Sequence, residues 1–192
     1  MAVTSEIATA HYVTDAAVSR FQIKAFVAGV LSALGHNPTI AIRDFAGEVR
    51  LQPGTLGAAS LELCLKAPSF EVTNQIREKD KREIEENMHR DVLETDQFPE
   101  IVFQSSAASA VKTGEGQFRI DLNGSLTLHG VTRSQPIQTY VTVSEELLRA
   151  RGDFSILLSD YQIRPVSAVG GTLKLKDGLK CSFEIVARRK RE

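Results

Sequence analysis

Apolar and polar residues alternate along most of this chain, in short runs divided by turn residues. Across residues 19–27, Phe21, Ile23, Ala25 and Val27 share one parity, while Arg20, Gln22 and Lys24 share the other. Ile40-Ala-Ile42 and Val49-Arg-Leu51 repeat the habit, and Leu61, Leu63 and Leu65 then alternate with Glu62, Cys64 and Lys66. Successive side chains of a strand point to opposite faces, so each run predicts a half-buried β-strand. The most regular stretch is Leu126-Thr-Leu-His-Gly-Val-Thr-Arg133, where alternation reaches His129-Gly130, turns, and resumes at Ile137-Gln-Thr-Tyr-Val-Thr-Val143. That pattern predicts a hairpin with one apolar face. Ile101 and Phe103 follow Phe98-Pro99 and are expected to pair with Phe118, Ile120 and Leu122 across Gly114-Glu-Gly116. Asp177-Gly178 predicts a two-residue hairpin turn into Cys181, Phe183 and Ile185.

One segment breaks the period. Residues 73–93 mix both charges densely, with Ile84, Met88 and Val92 four apart. This predicts a helix with a narrow apolar stripe, capped by Thr73 or Asn74, whose charges form a solvated face. No strand–helix–strand rhythm appears, which argues against a parallel sheet. The reading is therefore all-β: a single antiparallel set of about eight strands with one helical insertion at about 74–93. Such a set either stacks as a sandwich or closes into a barrel. Residues 1–192 are read as one domain, the length being ordinary for one.

Composition narrows the function. Lys plus Arg is 23 and Asp plus Glu is 24, a net charge of −1, with no Trp and 3 Tyr. This excludes the strongly basic footprint and stacking platforms of nucleic-acid binders. No apolar run is long enough to span a bilayer, so no integral membrane segment is expected. The start carries no signal-peptide pattern, which predicts a cytoplasmic protein, or a periplasmic one if a leader has been removed. Cys64 and Cys181 are too few for a disulfide framework. The basic end, Arg188-Arg-Lys-Arg191, reads as a solvated terminus.

Five blocks follow one another along the chain: Gly35-His-Asn37 leading to Ile40, Phe45-Ala-Gly47, Phe98-Pro-Glu-Ile-Val-Phe-Gln-Ser105, Gly124-Ser-Leu-Thr-Leu-His-Gly-Val-Thr-Arg133, and Phe154 to Ile163. In this order they resemble the YceI-like family of polyisoprenoid-binding, lipocalin-like β-barrel proteins. The resemblance runs from about Ser19 to Ala187 and implies an antiparallel barrel whose apolar tunnel holds a long isoprenoid chain. The residues of inward parity then line it: Phe21, Ile23, Ala25, Ile42, Leu61, Leu63, Phe103, Ile120, Leu122, Leu126, Leu128, Val141, Phe154, Ile156 and Phe183. His36 and Asn37, in a turn composition, are placed at the cavity mouth.

No nucleophile elbow, phosphate loop, metalloprotease motif or dinucleotide fingerprint occurs. His11, His36, His89 and His129 show no metal-ligand spacing, and His129 is read as a hydrogen-bonding turn residue facing away from the tunnel. No catalytic residue, metal or cofactor is expected beyond a bound isoprenoid lipid or quinone. The function expected is binding and sequestration or transport of a long-chain apolar ligand. At about 0.3 kcal/mol per heavy atom, a chain of about forty carbons supplies about 12 kcal/mol before ordering costs. The rivals are an enzyme using a mouth histidine, His36 foremost, and an interaction protein with a solid core. Strand edges and the resemblance both point to a homodimer.

Overall fold

The turn at His129-Gly130 sets the pattern of the fold. His129 has φ 52° and Gly130 has φ 72°, the two left-handed residues of a type I′ hairpin. A side chain at Gly130 would also strike the Phe98 ring, 2.8 Å away. The turn matches the twist of its strands, so twelve residue pairs follow in register, from Val131 opposite Leu128 to Thr142 opposite Gln117.

The computed structural model describes residues 9–28, 37–52, 55–164, 167–168 and 173–191. Its strands are β1 (Ala10–Thr14), β2 (Arg20–Lys24), β3 (Val27–Ala28), β4 (Thr39–Ile42), β5 (Phe45–Gln52), β6 (Thr55–Lys66), β7 (Phe70–Val72), β8 (Glu100–Gly114), β9 (Gln117–Leu128), β10 (Val131–Val143), β11 (Leu147–Leu157), β12 (Ser167–Ala168), β13 (Leu173–Leu175) and β14 (Gly178–Arg189). The ring β1-β5-β6-β8-β9-β10-β11-β14 closes through β1–β14 into an eight-stranded antiparallel barrel.

Three staves are kinked and continue past the ring. β1 runs on into β2, β5 is preceded by β4, and β6 runs on into β7, so β2, β4 and β7 extend the wall beside β14. At the first kink Ser19 replaces the lost ladder: its Oγ accepts from Val186 N at 2.9 Å and donates to Asp15 O at 2.7 Å. The other two kinks are residues 43–44 and a 3-10 turn at Ala67–Ser69.

β7 is an edge, and α1 (Glu78–Asn87) with the π-helical turn Met88–Val92 covers it. The Val72 N–H donates to Glu85 Oε1 at 2.8 Å, and His89 Nε2 donates to Phe70 O at 3.1 Å. Helix side chains thus satisfy backbone groups that would otherwise template another strand. The stripe Ile84, Met88 and Val92 turns inward, Met88 and Val92 being buried. The charged face is not wholly solvated, because Glu85 has this structural partner. Neither proposed cap is used: the N-cap is Arg77, and Asn74 instead bridges Thr39 N and Asn37 O.

Two pairings differ from expectation. Phe103 lies opposite Leu126, whereas Phe118 and Ile120 lie opposite Lys112 and Ala110. β8 and β9 are long enough that Gly116, in their turn, lies thirteen residues beyond Phe103, at the far end of the barrel. Asp177-Gly178 is not a hairpin: β13 pairs with β3 and β12 in a small separate sheet. The Asp177 carboxylate is committed elsewhere, accepting from Ser159 N at 2.8 Å and Ser159 Oγ at 2.7 Å. Among the described residues, no helix is long and apolar enough to cross a membrane.

Candidate functional site: an apolar chamber inside the barrel

The barrel is hollow. A cavity of about 260 Å³ occupies its interior, and every one of the eight staves contributes to the wall. An ordinary protein interior leaves few voids larger than one water. Along β9 the wall runs from Ile120 to Leu128. At about 3.4 Å per residue that is about 27 Å of strand, or about 20 Å along an axis from which barrel strands tilt by about 40°.

Fourteen of the fifteen residues predicted to face the tunnel stand on this wall: Phe21, Ile23, Ala25, Leu61, Leu63, Phe103, Ile120, Leu122, Leu126, Leu128, Val141, Phe154, Ile156 and Phe183. Ile42 does not. It is buried at 4% exposure, and its cross-strand partner Phe70 reaches the wall instead. The helical stripe Ile84, Met88 and Val92 joins the wall and closes this end, which we call the helix end. Its four-residue spacing was visible in the sequence, but spacing alone does not say what a stripe faces. Val49, Leu51, Leu65, Ile101 and Ile137 are further wall residues, recoverable from the same parity rule.

Aromatic rings shape the interior. Phe21 stacks on Phe183 at 5.9 Å between centroids and meets Phe45 edge-on at 6.5 Å. The Phe103 ring lies across Gly124, where an added Cβ would be 2.3 Å from Cζ. Gly124 is therefore the absence of a side chain that lets a ring fold flat against the wall.

The chemistry of the wall is almost purely apolar. Among the described residues, no Asp, Glu, Lys, Arg or His lines it, and its polar members are Thr14, Ser60, Asn87, Thr139 and Cys181. Thr139 is already spent, its Oγ1 donating to Arg151 O at 3.0 Å. Burial pushes the Cys181 thiol up to about 12, so it stays protonated and unreactive. Cys64, on the outer face, is half-buried, and its thiol is also raised by burial. Among the described residues no cluster of three metal-ligating side chains occurs.

The residues placed at the mouth fare differently. His36 lies outside the described residues. Asn37 is half-buried beside the wall residue Pro38, but it is not on the wall itself. Its Oδ1 accepts from Val27 N at 3.2 Å, so its amide ties β3 to the loop before β4 rather than facing a head group. His129 also stands off the wall. It occupies the turn as expected; its ring packs on Phe98 at 4.3 Å, and its Nε2, 3.5 Å from Glu94 Oε1, has no hydrogen-bond partner among the described residues. At the basic terminus, Arg188 pairs with Asp15 at 2.7 Å and Arg191 with Glu146 at 2.9 Å.

Residues 12–187 match the YceI-like domain. No curated protein matches the chain. Among solved structures, Burkholderia cenocepacia BcnA is similar at 16% identity and TM-score 0.68, covering 90% of this chain and 98% of its own. A polyisoprenoid-binding domain from Saccharophagus degradans, implicated in plant cell wall breakdown, is similar at 16% identity and TM-score 0.66, with 93% and 98% coverage. A Campylobacter jejuni YceI protein is similar at 16% identity and TM-score 0.58, with 79% and 85% coverage. At these identities the likeness is one of fold.

Proposed function

Because the chain belongs to the YceI-like family and its barrel encloses a long apolar chamber, we propose that it binds and sequesters or transports a long apolar lipid of isoprenoid or quinone type. The observation that carries this reading is the wall itself: apolar side chains from all eight staves, with no charged group among the described ones. Such a wall offers a hydrocarbon chain an escape from water at roughly 25 cal/mol per Å² of apolar surface. It offers a charged head nothing, since an unpaired buried charge is costly. The tail therefore lies inside and a charged head stays outside, while an uncharged head finds Thr14, Asn87 and Ser60 as polar contacts. The similarity to a polyisoprenoid-binding domain supports the same class of ligand.

The test fills the chamber. Ala150 lines it from β11, opposite Val141 and Ile185, which also line it. Ala150→Phe adds a ring to empty space. We expect the delipidated variant to melt within a few degrees of the parent while its affinity for a fluorescent polyprenol falls at least tenfold. Overpacking a solid core costs about 1–3 kcal/mol instead. No saturable polyprenol binding by the parent overturns the proposal.

A further inference from the structure

We propose that a second copy of this chain docks face to face on the outer surface of β9, β10 and β11, forming a two-fold dimer through a barrel face rather than a strand edge. The two flanking strands repeat one pattern. β9 carries Arg119-Ile-Asp121 and β11 carries Arg151-Gly-Asp153, with Gln138-Thr-Tyr140 on β10 between them. Ile120 and Thr139 are buried and line the chamber, so the residues on either side of them point outward. Register then sorts the six into two rows. Tyr140 lies opposite Arg119 on one side and Arg151 on the other. One step along, Gln138 lies opposite Asp121, and Asp153 follows Gly152, the partner of Thr139. One row reads Arg-Tyr-Arg and the next reads Asp-Gln-Asp, about 6.8 Å away along the strands.

These groups are not spent within the chain. Arg119, Arg151 and Asp153 form no ion pair among the described residues, whereas Arg43, Arg50 and Arg188 each hold a carboxylate. Asp121 accepts from Gln138 Nε2 at 2.8 Å through one oxygen, which leaves the other. The Arg151 guanidinium rests 5.9 Å from the centre of the Tyr140 ring. Val111, opposite Arg119, extends the Arg-Tyr-Arg row onto β8. Val111 and Tyr140 are 46% and 50% exposed, two of the four exposed large apolar side chains among the described residues. Tyrosine and arginine are the side chains that anchor protein interfaces.

The charges choose the two-fold axis and name the occupant. An isologous contact sets one patch against itself. With the axis along β10, Arg119 meets Arg151 of the second copy, and like charges in contact are costly. With the axis across the strands, midway between the rows, the Arg row lies on the Asp row. Arg119 then meets Asp121, Arg151 meets Asp153 and Tyr140 meets Gln138, each twice. The surrounding positions stay compatible: Arg149 falls against Ser155, Gln117 against Asn123 and Glu184 against Ser182, all of outward parity. Barrel strands tilt by about 40° from the axis, so the two barrels cross at about 80°. Crossed barrels touch over a compact patch, which suits a pattern three strands wide. A contact of this size is weak, and its ion pairs are screened by salt.

The experiment is a charge swap read by sedimentation velocity across micromolar concentrations in low salt. The parent should show a monomer–dimer equilibrium that high salt weakens. Arg119→Asp with Arg151→Asp makes both rows acidic, and Asp121→Arg with Asp153→Arg makes both basic. Each variant alone should associate at least tenfold more weakly than the parent. Mixed in equal amounts, the two should associate to within about threefold of the parent, because each supplies the charge the other lacks. Tyr140→Ala, which removes only an exposed ring, should weaken the dimer at least fivefold, while Arg77→Asp, exposed at the helix start, should leave it within twofold. A parent that stays monomeric at every concentration overturns the proposal and leaves this face to a partner of other sequence. Dimers that persist in the reversed variants and in Tyr140→Ala, or folded reversed variants that ignore each other when mixed, overturn this face as the interface. None of these outcomes depends on whether the chamber holds a lipid.

Discussion

The two ends of the barrel treat a strand edge in opposite ways. At the helix end β7 has a free edge, and α1 with its π-helical turn covers it through Glu85 to Val72 N and His89 to Phe70 O. At the Gly116 end the described pairing of β6 with β8 reaches Leu61 opposite Ser105, and residues 109–113 of β8 are exposed on both faces. An uncovered edge invites pairing with other chains unless something blunts it. At this end the bulges and the exposed lysine of β8, Lys112, provide that. The difference teaches that one edge of this wall is capped by the side chains of a helix, whereas residues 109–113 at the far end of β8 meet solvent on both faces.

The sharpest way to break this comparison is to put the same charge at both ends. Met88→Asp at the helix end buries an unpaired carboxylate in the chamber wall and should cost about 3 kcal/mol in urea unfolding. Ala110→Asp, of inward parity at the Gly116 end, should cost less than about 0.5 kcal/mol, because its carboxylate reaches water. A similar cost for both would show that Ala110 is as closed to water as Met88. A smaller effect tests how the helix is held. Glu85→Ala removes the acceptor for the Val72 N–H and should cost about 1 kcal/mol. Glu86→Ala, exposed on the same helix, should stay within about 0.5 kcal/mol. Equal costs would show that α1 is not pinned to β7 through that bond.

The last prediction costs no stability and concerns the two thiols. Cys181 lines the chamber with its thiol pushed up to about 12, whereas Cys64 lies half-buried on the outer face. Treated with an excess of a disulfide reagent at pH 8, the native protein should lose one thiol, Cys64, within minutes. Cys181 should react only on unfolding, or more slowly still with ligand bound. Two equally fast thiols would mean that solvent fills the chamber.

What the sequence determined by itself is which face of each strand is apolar. Parity placed fourteen of fifteen predicted positions on the wall, because a period of two is a local property that survives any choice of neighbour. The His129-Gly130 turn was equally legible, since two left-handed residues in succession allow few alternatives. Tertiary structure decided the rest. Which strand lies opposite Phe103, which residues of β6 pair with β8, and what the stripe Ile84, Met88 and Val92 faces all depend on residues distant in sequence. Asp177 and Asn37 show the same limit from the polar side. Each carries a turn signature locally, yet each side chain is claimed by a backbone N–H far along the chain or across a loop. Periodicity reports the chemistry of a surface. Hollow or solid, sealed or open, is settled only when the surfaces meet, because volume and edge pairing are properties of the assembled wall.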